Sequence, residues 1–344
     1  MPQDDKVVVI GGAGFIGSRL TRFLLDEGNT VIVTSRTAGA RTSDDPRLSY
    51  RSVAVTDAEG ISKVIEGANV VYDLSMSGGL TWEEHKKEVV DSAVHVARAC
   101  QKHGVRRLIY TSSTAALYLA GNGTVTEAAG ADKRPEDRSF YSRGKIEAER
   151  ALLKLYETEK LPVVIFRPAV VLGPGGMLVH GAFGELPPAS DVSILGFGNG
   201  KTPLPCVLVD DVARALQVGK DAPGIDGMAF NLAGDVRPSV TQYVQWMREA
   251  THRNFRFYGR PIWFIQAGEI ARWALKSLGR KPNNTLGSLR DVESAPMSAQ
   301  LDCSLAKKML GWKPVADETE FKKQALLCHV NPLPPGDVRL EPRR

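Results

Sequence analysis

The sequence is poor in the residues that commit a chain to metal, redox or membrane chemistry. Its 344 residues include four cysteines, Cys100, Cys206, Cys303 and Cys328, and six histidines, all widely scattered. No cysteine pair has redox or metal-ligand spacing, so the thiols read as free and buried in a reducing compartment. The histidines form no His-x-x-x-His set, and no metal is expected. No apolar run approaches the ~20 residues that span a bilayer. The first such run, 7–10, is too short for a signal peptide and leads into a glycine loop, so the expected location is the cytoplasm. Lysine and arginine number 44 against 39 acidic residues, a net charge of +5 with both signs interspersed. Without a dense cationic stripe there is no reason to expect a nucleic-acid partner. What remains is a globular composition, 43% hydrophobic and 24% charged, long enough for one large domain or two ordinary ones.

The first 170 residues alternate between β-branched runs and helical apolar spacing. Strands are predicted over 6–10, 30–34, 48–54, 70–74, 108–112 and 162–167, with helices over 16–27, 58–65, 83–102 and 145–159. Such alternation implies an α/β fold with a doubly wound parallel sheet covered on both faces. After Gly173 small residues, Gly and Pro dominate. A strand then runs into a helix over 207–220, another strand falls at 228–232, and helices are predicted over 240–250 and 262–278. The division expected is a nucleotide-binding domain over 1–172 and 205–234 and a substrate-binding lobe over 173–204 and 235–330. The tail 331–344, with four prolines, reads as disordered.

Between the first strand and the first helix lies Ile10-Gly-Gly-Ala-Gly-Phe-Ile-Gly17. Gly11, Gly14 and Gly17 permit a tight turn, close backbone approach to a pyrophosphate and close helix–strand packing. The helix N-terminus adds free N–H groups and partial positive charge. In this context the motif predicts dinucleotide binding. The second strand ends Val31-Ile-Val-Thr-Ser-Arg36, with no acid at its tip to hold a ribose 2′-hydroxyl. Thr34 and Ser35 offer hydroxyls, and Arg36 can pair with a 2′-phosphate, so the expected cofactor is NADP(H). The competing reading makes Arg36 and Arg41 solvated loop cations.

The chemistry is carried by Tyr141-Ser-Arg-Gly-Lys145. Four residues apart on a helix, the phenol and the ammonium share a face. A nearby ammonium is expected to pull the phenol down from its reference pKa of about 10, so that it exchanges a proton with an alcohol or ketone. Upstream, Tyr110-Thr-Ser-Ser-Thr114 closes a strand at the sheet edge where such folds bind ligands, and Ser113 there can hydrogen-bond the reacting oxygen.

Together these motifs resemble the extended short-chain dehydrogenase/reductase family, the NAD-dependent epimerase/dehydratase superfamily, over about residues 6–328. The resemblance extends to Arg167-Pro-Ala-Val-Val-Leu-Gly-Pro174, Val209-Asp-Asp-Val212 and Leu310-Gly-Trp-Lys-Pro314. It implies a Rossmann domain, a smaller and mainly C-terminal substrate lobe, and a catalytic set of Ser113, Tyr141 and Lys145. Cofactor contacts are implied at Gly11, Gly14, Phe15, Ile16, Gly17, Ser35, Arg36, Val55, Leu74, Ser75, Tyr141, Lys145, Arg167, Pro168 and Val170. A homodimer is implied through the 83–102 and 145–159 helices. Departures are Ile10, where a threonine is usual, and Ala54, where an aspartate often meets the adenine. Asp57 is read instead as the cap of the next helix. Thr114 is the alternative to Ser113, because the family's register varies there.

One core serves several reactions in this family, so the substrate lobe must choose. Nucleotide-sugar enzymes of the family carry Gly-Asp-Gly, three variable residues and Arg-Asp-Phe before Val-Asp-Asp, the arginine neutralising a diphosphate. Here Gly198-Asn-Gly-Lys-Thr-Pro-Leu-Pro-Cys-Val-Leu-Val-Asp-Asp211 places Leu204 at the arginine position, with Lys201 or an arginine from elsewhere as possible substitutes. The 261–282 segment is similar to 3β-hydroxysteroid dehydrogenase-like ketone reductases. Its Ile262, Trp263, Ile265, Ile270, Trp273, Ala274 and Leu278 read first as an amphipathic core helix. A wall of an apolar pocket or a helix resting on a membrane, favoured by Arg272 and Lys276, are the sharper readings. The leading expectation is an NADP(H)-dependent oxidoreductase interconverting a ketone or aldehyde and a secondary alcohol on an apolar or small organic substrate. A nucleotide-sugar epimerase or dehydratase with tightly bound NAD is the alternative, and a non-catalytic cofactor sensor is the third. Arg36→Ala should weaken NADPH binding much more than NADH binding in paired titrations; equal losses would sink the 2′-phosphate argument.

Overall fold

A computed structural model describes residues 5–35, 41–76, 78–190, 192–278, 286–327 and 329. Strand and helix alternate through β1 (Lys6–Ile10), α1 (Phe15–Asp26), β2 (Thr30–Ser35), β3 (Leu48–Ser52), α2 (Ala58–Ile65) and β4 (Val70–Asp73). Next come α3 (Trp82–His85), a wider π-helical stretch at Lys86–Asp91, α4 (Ser92–Lys102), β5 (Arg107–Thr111), β6 (Thr124–Val125), α5 (Phe140–Glu159) and β7 (Val163–Pro168). The rest runs β8 (Val170–Leu172), β9 (Ser193–Phe197), β10 (Cys206–Leu208), α6 (Val209–Gly219), β11 (Ala229–Leu232), α7 (Val240–Thr251) and β12 (Arg256–Arg260). It ends with α8 (Ile262–Leu278), α9 (Leu289–Ser294), β13 (Gln300–Leu301), α10 (Ser304–Leu310) and α11 (Glu318–Lys322).

Seven strands form one parallel sheet in the order β11-β7-β5-β4-β1-β2-β3. The alternation of side chains along each strand divides the core in two. Val7 and Val9 of β1 join Leu20, Phe23 and Leu24 of α1 and Val212 and Leu216 of α6. Val8 and Ile10 join Ile61 and Ile65 of α2, Val96 and Ala97 of α4 and Leu152 of α5. Both faces are therefore apolar and covered, as the strand composition requires. The order reverses between β1 and β4, and the crevice at their carboxyl ends is where such sheets hold ligands.

A third apolar cluster lies beside the sheet. Phe183 stacks on Tyr243 with ring centroids 4.1 Å apart, and Trp246, Phe255 and Phe321 close around them. Short parallel pairs support this lobe, β8 with β10 and β9 with β12.

The expected elements recur with small shifts. The predicted 145–159 helix starts earlier, at Phe140, because the Ser139 hydroxyl accepts the Ser142 N–H at 3.4 Å and caps the first turn. The 83–102 segment is broken by the π-helical stretch instead of forming one regular helix. Asp57 caps α2 as read, accepting the Gly60 N–H at 2.9 Å. Cys100, Cys206 and Cys303 are free and buried. Cys328, Arg36 and the 331–344 tail lie outside the described residues. The core-helix reading of 262–278 is corrected: the helix forms, but none of its residues is buried, because among the described residues no element covers the side bearing Trp263, Phe264 and Leu278.

The stack of Phe166 on Phe230, centroids 5.6 Å apart, fills the layer between β7, β11 and α6. Phe230→Ala should cost about 3–5 kcal/mol, read as a lower denaturant midpoint at unchanged slope.

Candidate active site

The glycine loop leaves β1 and turns into α1. Gly11 has φ +77°, and a Cβ there would stand 2.7 Å from the Leu74 carbonyl oxygen after β4. A Cβ on Gly17 would meet the Gly11 oxygen at 2.4 Å. Both positions are thus closed to any side chain. Gly14, the N-cap of α1, contributes no side-chain cap, so the first N–H groups of the helix stay available to an anion. At the tip of β2 the buried hydroxyls of Thr34 and Ser35 have no partner among the described residues. A glycine cradle, an uncapped helix start and unpaired hydroxyls beside them fit a nicotinamide dinucleotide. Leu74 and Ser75 border the cradle, and the Phe15 ring lies under the turn after β8, 2.7 Å from a Cβ built on Gly176. Val55 follows β3, while Pro168 and Val170 stand at the β7–β8 junction.

Helix α5 lies against the carboxyl edge of the sheet and brings Tyr141 and Lys145 to it. Lys145 is buried, its Nζ donating to the Thr111 carbonyl at 2.9 Å and lying 3.5 Å from the Tyr110 hydroxyl. Burial lowers its pKa, opposed by the carboxylates of Asp73 and Glu149. Tyr141 is 37% exposed and lies beside Ser113. Ser113 begins a short 3₁₀ turn, its Oγ accepting the Ala115 N–H at 3.1 Å. Thr114, the alternative, is buried at 4% exposure. The three expected side chains therefore meet at one strand end. The expected fall in the Tyr141 pKa does not appear. Burial raises it, the Ser113 hydroxyl only partly opposing, and the Lys145 ammonium is turned to β5.

Arg167 faces the interior. Its Nη2 donates to Glu149 Oε2 at 2.7 Å and its Nε to Oε1 at 2.9 Å, both residues being 1% exposed or less. Glu149 follows Lys145 by one turn on the same stripe of α5, a charge on an otherwise apolar face that the sequence displays. Asp73, also missed, is buried at the end of β4. Its Oδ1 accepts the Ser75 N–H at 3.0 Å and its Oδ2 has no partner among the described residues. Burial raises its pKa, with the Ser75 hydrogen bonds and Lys145 opposing.

The start of α5 is held from a distant segment. Asp291 of α9 accepts the Ser139 N–H at 2.8 Å and pairs with Arg138. Arg138 also donates to Asp132 at 2.6 Å, and Arg290 grips Asp132 with two bonds of 2.8 Å. No local motif announces this contact across 152 residues of chain. An open groove of about 1010 Å³, lined by residues including Thr241, Arg248 and Phe257, lies in the smaller lobe, and none of Ser113, Tyr141 and Lys145 borders it.

Comparison with known proteins places this site in a family. The family model "NAD dependent epimerase/dehydratase family" matches residues 7–233. The chain is 26% identical over 220 residues to 2-alkyl-3-oxoalkanoate reductase of Stenotrophomonas maltophilia, covering 61% of this chain and 63% of the relative. It is 32% identical over 186 residues to 3beta-hydroxysteroid-dehydrogenase/decarboxylase isoform 3 of Arabidopsis thaliana, covering 49% and 32%. The matches thus span less than two thirds of either relative's length. Among solved structures, the epimerase Mth375 of Methanothermobacter thermautotrophicus superposes with TM-score 0.72 at 18% identity, covering 94% of this chain and 91% of that one, a likeness of fold. The chain belongs to the NAD dependent epimerase/dehydratase family, the extended type of short-chain dehydrogenase/reductase, whose members are enzymes that use a nicotinamide dinucleotide.

Burial works to raise the Asp132 carboxyl, but hydrogen bonds from Arg290 and Arg138 outweigh it and hold the pKa at about 2, below the ordinary 3.8. Its contribution to stability is whole above pH 3.8 and is lost as the pH falls through about 2. Asp132→Asn should therefore cost about 3 kcal/mol near neutrality, because it removes the carboxylate shared by two guanidinium groups and leaves Arg138 with Asp291 alone. In urea titrations the gap between wild type and variant should close as the pH is taken down towards 2.

Proposed function

We propose that the protein is an NADP(H)-dependent oxidoreductase that interconverts a ketone or aldehyde and a secondary alcohol on an apolar or small organic substrate. The observation that carries this reading is Leu204. It stands where nucleotide-sugar members of the family place a diphosphate-binding arginine, and it is 2% exposed inside the apolar cluster with Phe183 and Cys206. A diphosphate facing that cluster would lose the counter-charge this position supplies, and burying unpaired charge is expensive. The identity to a reductase and a hydroxysteroid dehydrogenase agrees with this choice.

In reduction, Tyr141 gives its phenolic proton to the carbonyl oxygen while Ser113 holds that oxygen by a hydrogen bond. A bound nicotinamide supplies or accepts the hydride. Lys145, held at the end of β5 by the Thr111 carbonyl, anchors the cofactor side of the site. Cofactor choice rests on the β2 tip, where Thr34 and Ser35 stand with no acid between β2 and Arg36. The smaller lobe encloses the substrate, and a homodimer forms through α4 and α5.

The second reading, a nucleotide-sugar epimerase with retained NAD, draws on Arg237, whose charge acts on Cys206 close to the Leu204 position. Nucleotide analysis of freshly purified protein separates the two. An exchangeable site that prefers NADPH fits the reductase, whereas NAD that stays bound through purification would overturn it. Tyr141→Phe should abolish turnover, a loss of 10²-fold or roughly more, with cofactor affinity nearly unchanged; retention of most activity would dismiss Tyr141 as the proton donor.

A further inference from the structure

Helix α8 is amphipathic in the reverse sense. At the ~100° per residue of an α-helix, Glu269, Arg272 and Lys276 fall on one stripe with Trp273 beside it, and Trp263, Phe264, Ile270 and Leu278 fall on the opposite side with Leu275 at its flank. The partly covered residues of the helix, Ile262, Ile265, Gln266 and Glu269, share the charged side. Its attachments lie there too: Gln266 donates to Glu293 of α9 at 3.3 Å, and the Glu269 carboxylate lies 3.0 Å from a Cβ built on Gly287. The side bearing Ile262, Ile265, Gln266 and Glu269 leans on the protein, while Trp263, Phe264, Leu275 and Leu278 look outward. Trp263 is 68% exposed, Phe264 55%, Leu275 70% and Leu278 82%. A surface helix of a globular domain is oriented the other way, and a contiguous apolar face of this kind marks an interaction site.

Charge selects the occupant. From Arg248 to Lys276 there are six arginines and lysines against two glutamates, which leaves four of the chain's five net positive charges in this one stretch. Arg253, Arg256, Arg272 and Lys276 are exposed, as is Tyr258. Two copies meeting through α8 would press this like charge together. An anionic surface with an apolar interior satisfies both features at once, with Trp263 and Tyr258 suited to the headgroup level. The helix has 17 residues, about 25 Å at ~1.5 Å per residue, shorter than a ~30 Å hydrocarbon core. No helix among the described residues is long and apolar enough to cross a membrane. A helix of this length and pattern lies in the plane of the interface.

We propose that α8 docks the protein on the surface of a bilayer containing anionic lipid, with Trp263, Phe264, Leu275 and Leu278 inserted and Arg272 and Lys276 at the headgroups. The inference stands on exposure and charge and does not depend on the oxidoreductase reading. The full chain would be sedimented with vesicles of phosphatidylcholine alone and of phosphatidylcholine with phosphatidylserine, at low and raised salt. The expected result is stronger retention on the phosphatidylserine vesicles, falling with salt. In the triple variant Trp263→Ser, Phe264→Ser, Leu275→Ser the lipid affinity should fall by about tenfold or more. These side chains are exposed, so the variant should keep its thermal midpoint and its cofactor binding, and a matching charge variant, Arg272→Gln with Lys276→Gln, should lose the preference for phosphatidylserine. Absence of wild-type retention, or equal retention of the triple variant, would overturn the proposal. A wild type that ignores vesicles but changes from dimer to monomer in the triple variant would assign the face to a second copy instead.

Discussion

The buried pair of Glu149 and Arg167 is the contact on which the site depends. It ties the middle of α5 to β7 one helical turn beyond Lys145, with both side chains out of water. Two charges taken into an apolar interior bring little net stability, since desolvation offsets much of their attraction. Their consequence is register. A bidentate guanidinium–carboxylate contact has one good geometry, so α5 cannot slide or rotate against the sheet without leaving both charges unmatched. Lys145 then reaches the Thr111 carbonyl, and Tyr141, one turn earlier, meets Ser113 at the end of the neighbouring strand.

The second fastening acts from the other end of α5. Arg138, Asp132, Arg290 and Asp291 form a compact ionic cluster that joins the loop before α5 to α9. A segment late in the chain thus closes around the start of the helix that carries Tyr141, so the placement of that residue depends on both ends of the sequence. Tyr118, hydrogen-bonded to Glu293 and covered by the Arg290 guanidinium at 3.7 Å, extends the same contact towards the strand end bearing Ser113. Around this frame the sheet supplies rigidity, and the glycine turn between β1 and α1 supplies the space a dinucleotide requires.

The electrostatics of the site also depend on burial. Lys145 sits among Asp73, Glu149 and the Tyr110 hydroxyl, where desolvation disfavours its charge and the two carboxylates favour it. Among the described residues Asp73 keeps one oxygen unpaired under the crevice, a stored polarity at the strand end nearest the glycine cradle.

By itself the sequence determined the periodic parts of the protein. The Val-rich strands, the Gly11–Gly17 turn, the capping Asp57 and the Tyr141/Lys145 spacing act over a few residues, so their conformations follow from local sterics and hydrogen bonding. Glu149 was legible too, as a charge in the apolar stripe of α5, had that stripe been followed one turn further. The tertiary structure alone decided what meets across long stretches of chain. It brought Asp291 to Ser139, directed Arg167 to Glu149, and turned the Lys145 ammonium towards β5. It also left α8 facing outward, although its apolar pattern matches that of a core helix. Periodicity records that a face is apolar, and only the packing of the remaining chain decides whether another part of the same molecule covers it.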